Sequence, residues 1–523
     1  MKALLGIDLG TTGIRGTLLN TAGEVLARRS HGYTARARWI DPAGWEAQAE
    51  VSIFLDALKN IIPETLDAGR ISPSAVQGIA ISAMAPDAVA VDARAQALMP
   101  CILWMDRRAV AEAEEVRRRI GEDRIFRLSG NPIDPYYGLI KTLWIKNNLP
   151  DVYRKAAKIL SLKDFLVARL TGTLVTDVSH AGLSGIAYDI RRNCWNRDVL
   201  EEVQLDPNKL PEPLPSDDIA GTLTTEAASE LGLTPGTPVA GGMIDSAAGY
   251  LACGCVKSGQ SAMTLGTSSC WGIYSEDALW PTGMNITKAP WNPKGYLINA
   301  SLAAGGAVLT WLRELFFSSR EITQWNELEE QAARVPIGCG GLLTLPHFLG
   351  ERAPLWDPYA RGVLFGLHTG HSRADLYRSA IEGIALSFYR NKLLLQETGV
   401  AIDQRIVVTG GSGRSPLFRR ILADVLDSTV DYVGDEVGSD YGAAWLAGKA
   451  TGVFPSFRAL CDRSRIAETI EPDPSAHRRY VHLYDQIYRD LYPGIKEMYP
   501  KLANLPKPVG EPSSKLPGIS KQR

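Results

Sequence analysis

The chain opens on an apolar run, Leu4-Leu5-Gly6-Ile7, closed by a single carboxylate, Asp8. Leu9-Gly10-Thr11-Thr12-Gly13 follows, and a second apolar run over residues 14–19 ends in the turn signal Asn20-Thr21-Ala22-Gly23. Short apolar runs separated by Gly and small hydroxyl residues predict two strands joined by a tight turn. The pattern recurs at Ser261-Ala262-Met263-Thr264-Leu265-Gly266-Thr267-Ser268-Ser269-Cys270-Trp271, where Leu265-Gly266-Thr267-Ser268 aligns with Leu9-Gly10-Thr11-Thr12. Further buried strands are predicted over residues 76–82 and at Val239-Ala240, the latter followed by Gly241-Gly242-Met243-Ile244-Asp245 and a small-residue helix start. Helical spacing predicts helices over residues 44–63 (Trp45, Ala49, Ile53, Ala57), 111–121, 162–171 and 476–499, the last with Tyr480, Leu483, Tyr484, Ile487 and Leu491 on one face. Residues 211–215 read as a surface connector. Residues 506–523, rich in Pro, Lys, Ser and Gly, read as a disordered tail.

Composition narrows the class. At 523 residues and 45% hydrophobic content the chain can bury a large core, and its length predicts at least two domains. Lys and Arg number 56 against 58 Asp and Glu, a net charge of -2, so no global field attracts nucleic acid or an anionic membrane. No run approaches the ~18 apolar residues of a membrane span, and no signal-peptide core precedes Asp8, so a cytoplasmic enzyme is expected. Of the seven Cys, only Cys253 and Cys255 lie close together, without the His or Cys partners of a zinc site, and all are read as buried thiols.

Charge and chemistry give the turns a purpose. A Gly- and Thr-rich turn points backbone N–H groups and hydroxyls outward, where they can cradle phosphate oxygens. Arg15 can add charge, and a carboxylate at the end of a buried strand, Asp8, is costly unless a cation sits against it. Two related halves facing each other across a cleft would hold a triphosphate from both sides. No G-x-x-x-x-G-K-[ST] motif occurs, so this is not a P-loop protein. Residues 84–87 follow a buried strand and form a candidate pocket wall, because ligands collect beyond the carboxyl ends of parallel strands. Trp104 and Asp106, read as one face of an extended segment, pair a flat apolar surface with a hydrogen-bond acceptor, which suits a sugar. Asp245, at a helix N-terminus that would keep it ionised, is a candidate general base.

In their order and spacing, residues 6–15, 104–107, 241–249, 265–268, 362–382 and 409–415 resemble the FGGY carbohydrate kinases, the family of xylulose, glycerol and gluconate kinases. The most specific stretch is Gly362-Val363-Leu364-Phe365-Gly366-Leu367 followed, seven residues on, by Asp375-Leu376-Tyr377-Arg378-Ser379-Ala380-Ile381-Glu382. The resemblance implies an α/β fold of two actin-like, ribonuclease-H-like lobes with the active site between them. It divides the chain into an N-terminal sugar-binding lobe (1–250), a C-terminal nucleotide-binding lobe (251–455), a helical extension (456–505) and the tail. It implies ATP and Mg²⁺, with Asp8 holding the metal through the phosphates. Thr11, Thr12 and Arg15 would contact phosphate from the first lobe, and Gly266, Thr267 and Gly306 from the second. Gly410, Gly411 and Ser415 would lie at the ribose and base, and Asp245 would be the catalytic base. A homodimer is compatible with it.

The acceptor is less sharply marked. Where xylulose kinases carry Gln-Met-His this chain has Ala83-Met84-Ala85, keeping the Met and losing a His that would bind a sugar hydroxyl; Asp87 could compensate. Glycerol kinases have Arg-Glu there, although Tyr136 matches a glycerol-kinase substrate tyrosine. Met84, Ala85, Trp104, Asp106, Tyr136 and Asp245 are therefore the expected substrate contacts. A ketopentose such as xylulose is the leading acceptor, with glycerol, gluconate or erythritol types as alternatives. A chaperone-like ATPase would share the phosphate turns but not a convergent small-molecule pocket. A kinase-inactive sensor would keep the pocket without turnover.

Overall fold

The computed structural model describes residues 1–33, 38–40, 46–317, 322–434, 437–461 and 466–503. The predicted tail lies outside them, as do residues 44 and 45. In chain order the elements that matter are β1 (Ala3–Leu9), β2 (Gly13–Asn20), β3 (Val25–Gly32), α1 (Ser52–Gly69), β4 (Val76–Ala83), β5 (Ile219–Thr222), β6 (Pro238–Ala240), β7 (Met243–Ile244) and α2 (Asp245–Ala252). They continue with β8 (Ser261–Leu265), β9 (Ser269–Ser275), β10 (Asn285–Ala289), β11 (Asn292–Asn299), α3 (Gly306–Phe316), α4 (Arg373–Glu397), β12 (Arg405–Thr409), α5 (Pro416–Leu426), β13 (Thr429–Tyr432), α6 (Ser439–Ala450) and β14 (Glu468–Ile470).

Two seven-stranded mixed sheets result. The first runs β5-β6-β4-β1-β2-β3, with β7 also on β4; the second runs β10-β11-β9-β8-β12-β13-β14. In each, an apolar central strand is antiparallel to its hairpin partner and parallel to a strand far ahead in sequence: β1 with β2 and β4, β8 with β9 and β12. The internal duplication expected from the two Gly-Thr turns is thus present in strand pairing. β1 is buried along its whole length, as a strand covered on both faces must be. One cover is α6, which approaches so closely that a Cβ on Gly6 would stand 2.2 Å from the Asp440 carbonyl oxygen. Trp445, Leu446 and Phe454 consequently join the first sheet's core, although they follow the second sheet's strands in sequence.

Several local expectations change. The helix expected over 44–63 begins at Ser52 and continues past Pro63 to Gly69, because its apolar stripe of Phe54, Leu58, Ile61, Ile62 and Leu66 extends beyond the proline; Ala47–Ala49 is a strand instead. Within the expected connector 211–215, Glu212–Leu214 pairs in parallel with Val175–Asp177. The helical C-terminal segment packs on the second lobe as expected, but its inner face is a row of tyrosines, Tyr480, Tyr484, Tyr488, Tyr492 and Tyr499, while Ile487 is exposed. The phenols explain this: Tyr480 donates to Glu382 at 3.0 Å and Tyr488 to the Gly383 carbonyl at 2.8 Å, so each ring buries apolar area and still places its hydroxyl on an acceptor. Of the cysteines, Cys101, Cys253, Cys255 and Cys339 are buried thiols, whereas Cys194 is exposed and Cys270 half-buried at the cleft. Among the described residues no helix is long and apolar enough to cross a membrane.

Candidate active site

A cleft of about 700 Å³ separates the sheets and draws its lining from both. Both hairpin turns face it. Asp8, near the end of β1, sits opposite Arg15 of β2; its carboxylate accepts from Ser82 Oγ at 2.8 Å and lies 3.5 Å from the Arg15 guanidinium. Burial pushes its pKa up to about 6, against the pull of Arg15.

Asp245 begins α2 and lines the cleft. Its Oδ1 accepts from the Ser246 N–H at 2.6 Å. The expectation that the helix start keeps it firmly ionised needs correction: burial first, and the Asp8 charge second, push its pKa up to about 7, outweighing that backbone bond. This suits a base better, since a general base works best with a pKa near the operating pH. The turn that presents Asp245 is clamped from behind. Lys163 Nζ donates to the Gly241 carbonyl at 2.6 Å and pairs with Asp177 at 3.0 Å. Ser179 Oγ donates to Asp177 and accepts from the Ile244 N–H at 3.1 Å. Gly242 between them has φ +86° and passes so close to β4 that a Cβ would stand 2.4 Å from the Ile81 carbonyl oxygen, so only glycine fits the bend.

The expected acceptor wall forms in part. Met84, Ala85, Trp104 and Tyr136 line the cleft; Tyr136 donates to the Ala85 carbonyl at 3.2 Å, and Trp104 Nε1 donates to Thr11 Oγ1 at 3.1 Å, joining this wall to the Gly-Thr turn of the first lobe. Asp106 does not face the cleft. The segment turns at Trp104 rather than extending, and Asp106 is buried against Arg108, 2.8 Å away, and the Ala47 N–H at 2.6 Å. Asp87 also lies outside the cleft lining; burial raises its pKa to about 8, with Lys141 opposing and the Asp245 charge adding to the rise. Of the residues expected at the nucleotide, Gly266, Thr267, Gly410 and Gly411 line the cleft. Gly306 and Ser415 do not. The Gly306 N–H donates to the Gly266 carbonyl at 3.0 Å, bracing the turn from behind, and Ser415 caps α5 and donates to Glu329 at 2.5 Å.

Sequence reasoning missed part of the second lobe's contribution to the cleft. Asn285, Asn299, Ser301 and Arg352 line it too. The one available signal was Glu351-Arg352, a charged pair between Phe348-Leu349-Gly350 and Ala353-Pro354. No group of three or more metal-ligating side chains occurs among the described residues. Magnesium in a phosphoryl-transfer site needs only one or two carboxylates, the rest being phosphate oxygens and water. Asp8 and Asp245, mutually repelling and held above the usual carboxylate range, fit that requirement.

This geometry can be set beside known proteins. Residues 3–252 match the model of the FGGY family of carbohydrate kinases, N-terminal domain, and residues 261–451 the C-terminal domain. The gluconokinase of Bacillus subtilis (strain 168) is 30% identical over 509 residues, covering 96% of this chain and 98% of that protein. The xylulose kinase of the same strain is 28% identical over 510 residues, with 97% and 100% covered. The crystal structure of xylulose kinase from Rhodospirillum rubrum superposes with a TM-score of 0.84 at 29% identity, over 95% of this chain and 100% of that one. Two duplicated lobes, a hydroxyl-rich turn on each and both family models along most of the chain lead to one assignment: it belongs to the FGGY carbohydrate kinases, ATP-using phosphotransferases with an alcohol group as acceptor.

Proposed function

We propose that the chain transfers the γ-phosphoryl group of ATP to a hydroxyl of a small open-chain sugar or sugar derivative, with Asp245 as the base. The observation that carries this is Asp245 itself: a carboxylate held near neutrality by burial, in a cleft whose opposite sides are phosphate-cradling turns. The acceptor's hydroxyl oxygen bonds to the γ-phosphorus as the bond from that phosphorus to the β–γ bridging oxygen breaks, ADP leaves, and the hydroxyl proton passes to Asp245. Magnesium, when bound, would neutralise phosphate charge, and Asp8 is the residue that would hold it. Thr12, Arg15, Gly266 and Thr267 orient the phosphates, Gly410 and Gly411 border the nucleoside, and Met84, Trp104 and Tyr136 shape the acceptor pocket and keep water from the γ-phosphate.

A ketopentose such as xylulose is the acceptor favoured by the sequence, and similarity to a gluconokinase supports a sugar acid as the second reading. The test is ADP release measured with ATP and magnesium against a panel of ketoses, polyols and aldonates. Turnover of at least one acceptor is expected; none across the panel, with ATP still bound, would replace the kinase by a sensor.

A further inference from the structure

We propose that Lys141 is the positioning residue that assembles the acceptor pocket: standing behind the cleft lining, its ammonium ties three sequence-distant segments into one wall and so sets how tightly the acceptor is held. This rests on the kinase reading above. Lys141 lies on the helix Gly138–Asn148, is wholly buried, and is not among the residues that line the cleft. Its Nζ donates to the Pro86 carbonyl at 3.0 Å and to the Tyr136 carbonyl, and reaches the Trp104 carbonyl at 3.5 Å. In sequence these acceptors are 55, 5 and 37 residues away. The side chains of the same three segments face the cleft: Met84 and Ala85, Trp104, and Tyr136. The Tyr136 hydroxyl closes the ring by donating to the Ala85 carbonyl at 3.2 Å.

The backbone explains why an ammonium stands here. Residues 84–87, 104 and 136 lie outside every strand and helix, so their buried carbonyls have no ladder to join and need a donor from elsewhere. An ammonium carries three donors on a single atom, which suits three carbonyls converging on one point. Burying it is costly, and the carboxylates around it answer only in part. Asp106 is taken by Arg108 at 2.8 Å and Asp134 by Arg107 at 3.0 Å. Burial lowers the Lys141 pKa to about 8, with the Asp106, Asp87 and Asp134 charges opposing, so the group is charged at neutral pH. None of its three acceptors belongs to either sheet; all belong to the cleft wall. Losing the ammonium therefore frees this wall and leaves the Gly-Thr turns and the Asp245 turn held by their own bonds. A wall misplaced by about 1 Å is enough to cost on the order of 10²-fold in a reaction that depends on orientation.

The test compares wild type with K141M, which keeps the length of the side chain and deletes the ammonium, and K141Q, which keeps one amide donor group. Steady-state rates are measured with magnesium-ATP and with xylulose and gluconate, and amide hydrogen exchange is followed without ligands. K141M should raise the KM of whichever acceptor wild type phosphorylates by ~30-fold or more, lower kcat by less than ~5-fold, and leave the magnesium-ATP dissociation constant within ~3-fold; K141Q should fall between K141M and wild type. Exchange should quicken together in residues 84–87, 103–106 and 134–137 and stay as it is in residues 9–13 and 264–268. Equal losses on acceptor and ATP, or exchange rising across both lobes, would make Lys141 a residue of the fold and overturn the proposal. An unchanged acceptor KM in folded K141M would overturn it too, as would failure of both variants to fold. If exchange quickens in those three segments alone while wild type phosphorylates neither sugar nor any other compound of the panel, the wall stands and the kinase reading goes.

Discussion

In the first lobe β1 and β2 meet at a tip of two residues, Thr11 and Thr12, with the Gly10 N–H donating to the Gly13 carbonyl at 3.0 Å; in the second, β8 and β9 meet at one, Thr267, with Gly266 donating to Ser268 at 3.0 Å. The position that carries Asp8 in one carries Thr264 in the other, and the residue facing it across the hairpin is Arg15 in one and Cys270 in the other. Duplication therefore preserved a way of aiming N–H groups and hydroxyls into the cleft, while the carboxylates came to lie on one side only. Asp8 and Asp245 both belong to the first sheet's elements, whereas the second lobe answers with hydroxyls, amides and Arg352. A phosphoryl-transfer site needs this asymmetry: proton acceptance and metal binding belong near the attacking oxygen, and the opposite wall has only to orient and neutralise.

The strongest way to break the comparison is to remove the base. Asp245→Asn should lower kcat by ~10²- to 10⁴-fold and leave ATP affinity nearly unchanged, since the phosphates are held by the turns. Steady-state rates with the best acceptor decide it; a variant retaining a third of wild-type kcat would remove Asp245 from the role. Next comes the other carboxylate. Asp8→Asn should cost ~10- to 100-fold in kcat/KM for magnesium-ATP, the loss typical of a charge-assisted contact. Titration with magnesium at fixed ATP should show the apparent metal requirement rising. An unchanged magnesium dependence would show that the first lobe's charge is not what holds the metal.

The asymmetry also explains how much could be seen in advance. β1, the two Gly-Thr turns and Asp245 were legible because strand, turn and reactive residue are contiguous, and local pattern suffices for contiguous features. What failed depended on distant partners. Asp106 looked free until Ala47 and Arg108 were placed around it, and Ser415 looked like a ligand contact until Glu329 arrived from 86 residues away. Lys163 supports the turn that presents Asp245 through Gly241, 78 residues on, and no local pattern distinguishes it from any other lysine on a helix. Arg352 carries no periodic signal and gains meaning only when Trp104 and Tyr136 of the other lobe close over it. The assignment of α6 to the first sheet's core was hidden for the same reason, since its approach to β1 is visible only as a bare Gly6.

A pH profile sharpens the comparison at smaller cost. Asp245 must be ionised to accept a proton, and its pKa lies at about 7, so kcat/KM should fall as pH drops through about 7, with Asp8 contributing a further loss near 6. The Asp8 charge is one cause of the raised value at Asp245. Removing it in Asp8→Asn should therefore move the acid limb to lower pH, by a shift on the order of half a unit to one unit. An acid limb that stayed in place, or moved upward, would mean that the two carboxylates do not sense each other.

The smallest effects test whether both turns grip the same triphosphate. Thr12 and Thr267 stand at the two tips, exposed to the cleft, and among the described residues neither hydroxyl makes a hydrogen bond; the Thr267 carbonyl is instead engaged by the N–H groups of Gly305 and Ala307 at 3.2 and 3.0 Å, which fixes the tip on the start of α3. Replacing either by Val keeps the side-chain shape and deletes one neutral hydrogen bond, worth ~1 kcal/mol, so each single variant should raise the ATP dissociation constant by ~5-fold. The residues come from different lobes and share no partner, so the losses should add and the double variant should fall by ~25-fold. If the phosphates leaned on one lobe alone, one of the singles would be silent and the double would equal the other. Calorimetric titration of the four proteins with magnesium-ATP distinguishes these outcomes, and a double variant no worse than its worse single would end the claim that the duplicated turns act as a pair.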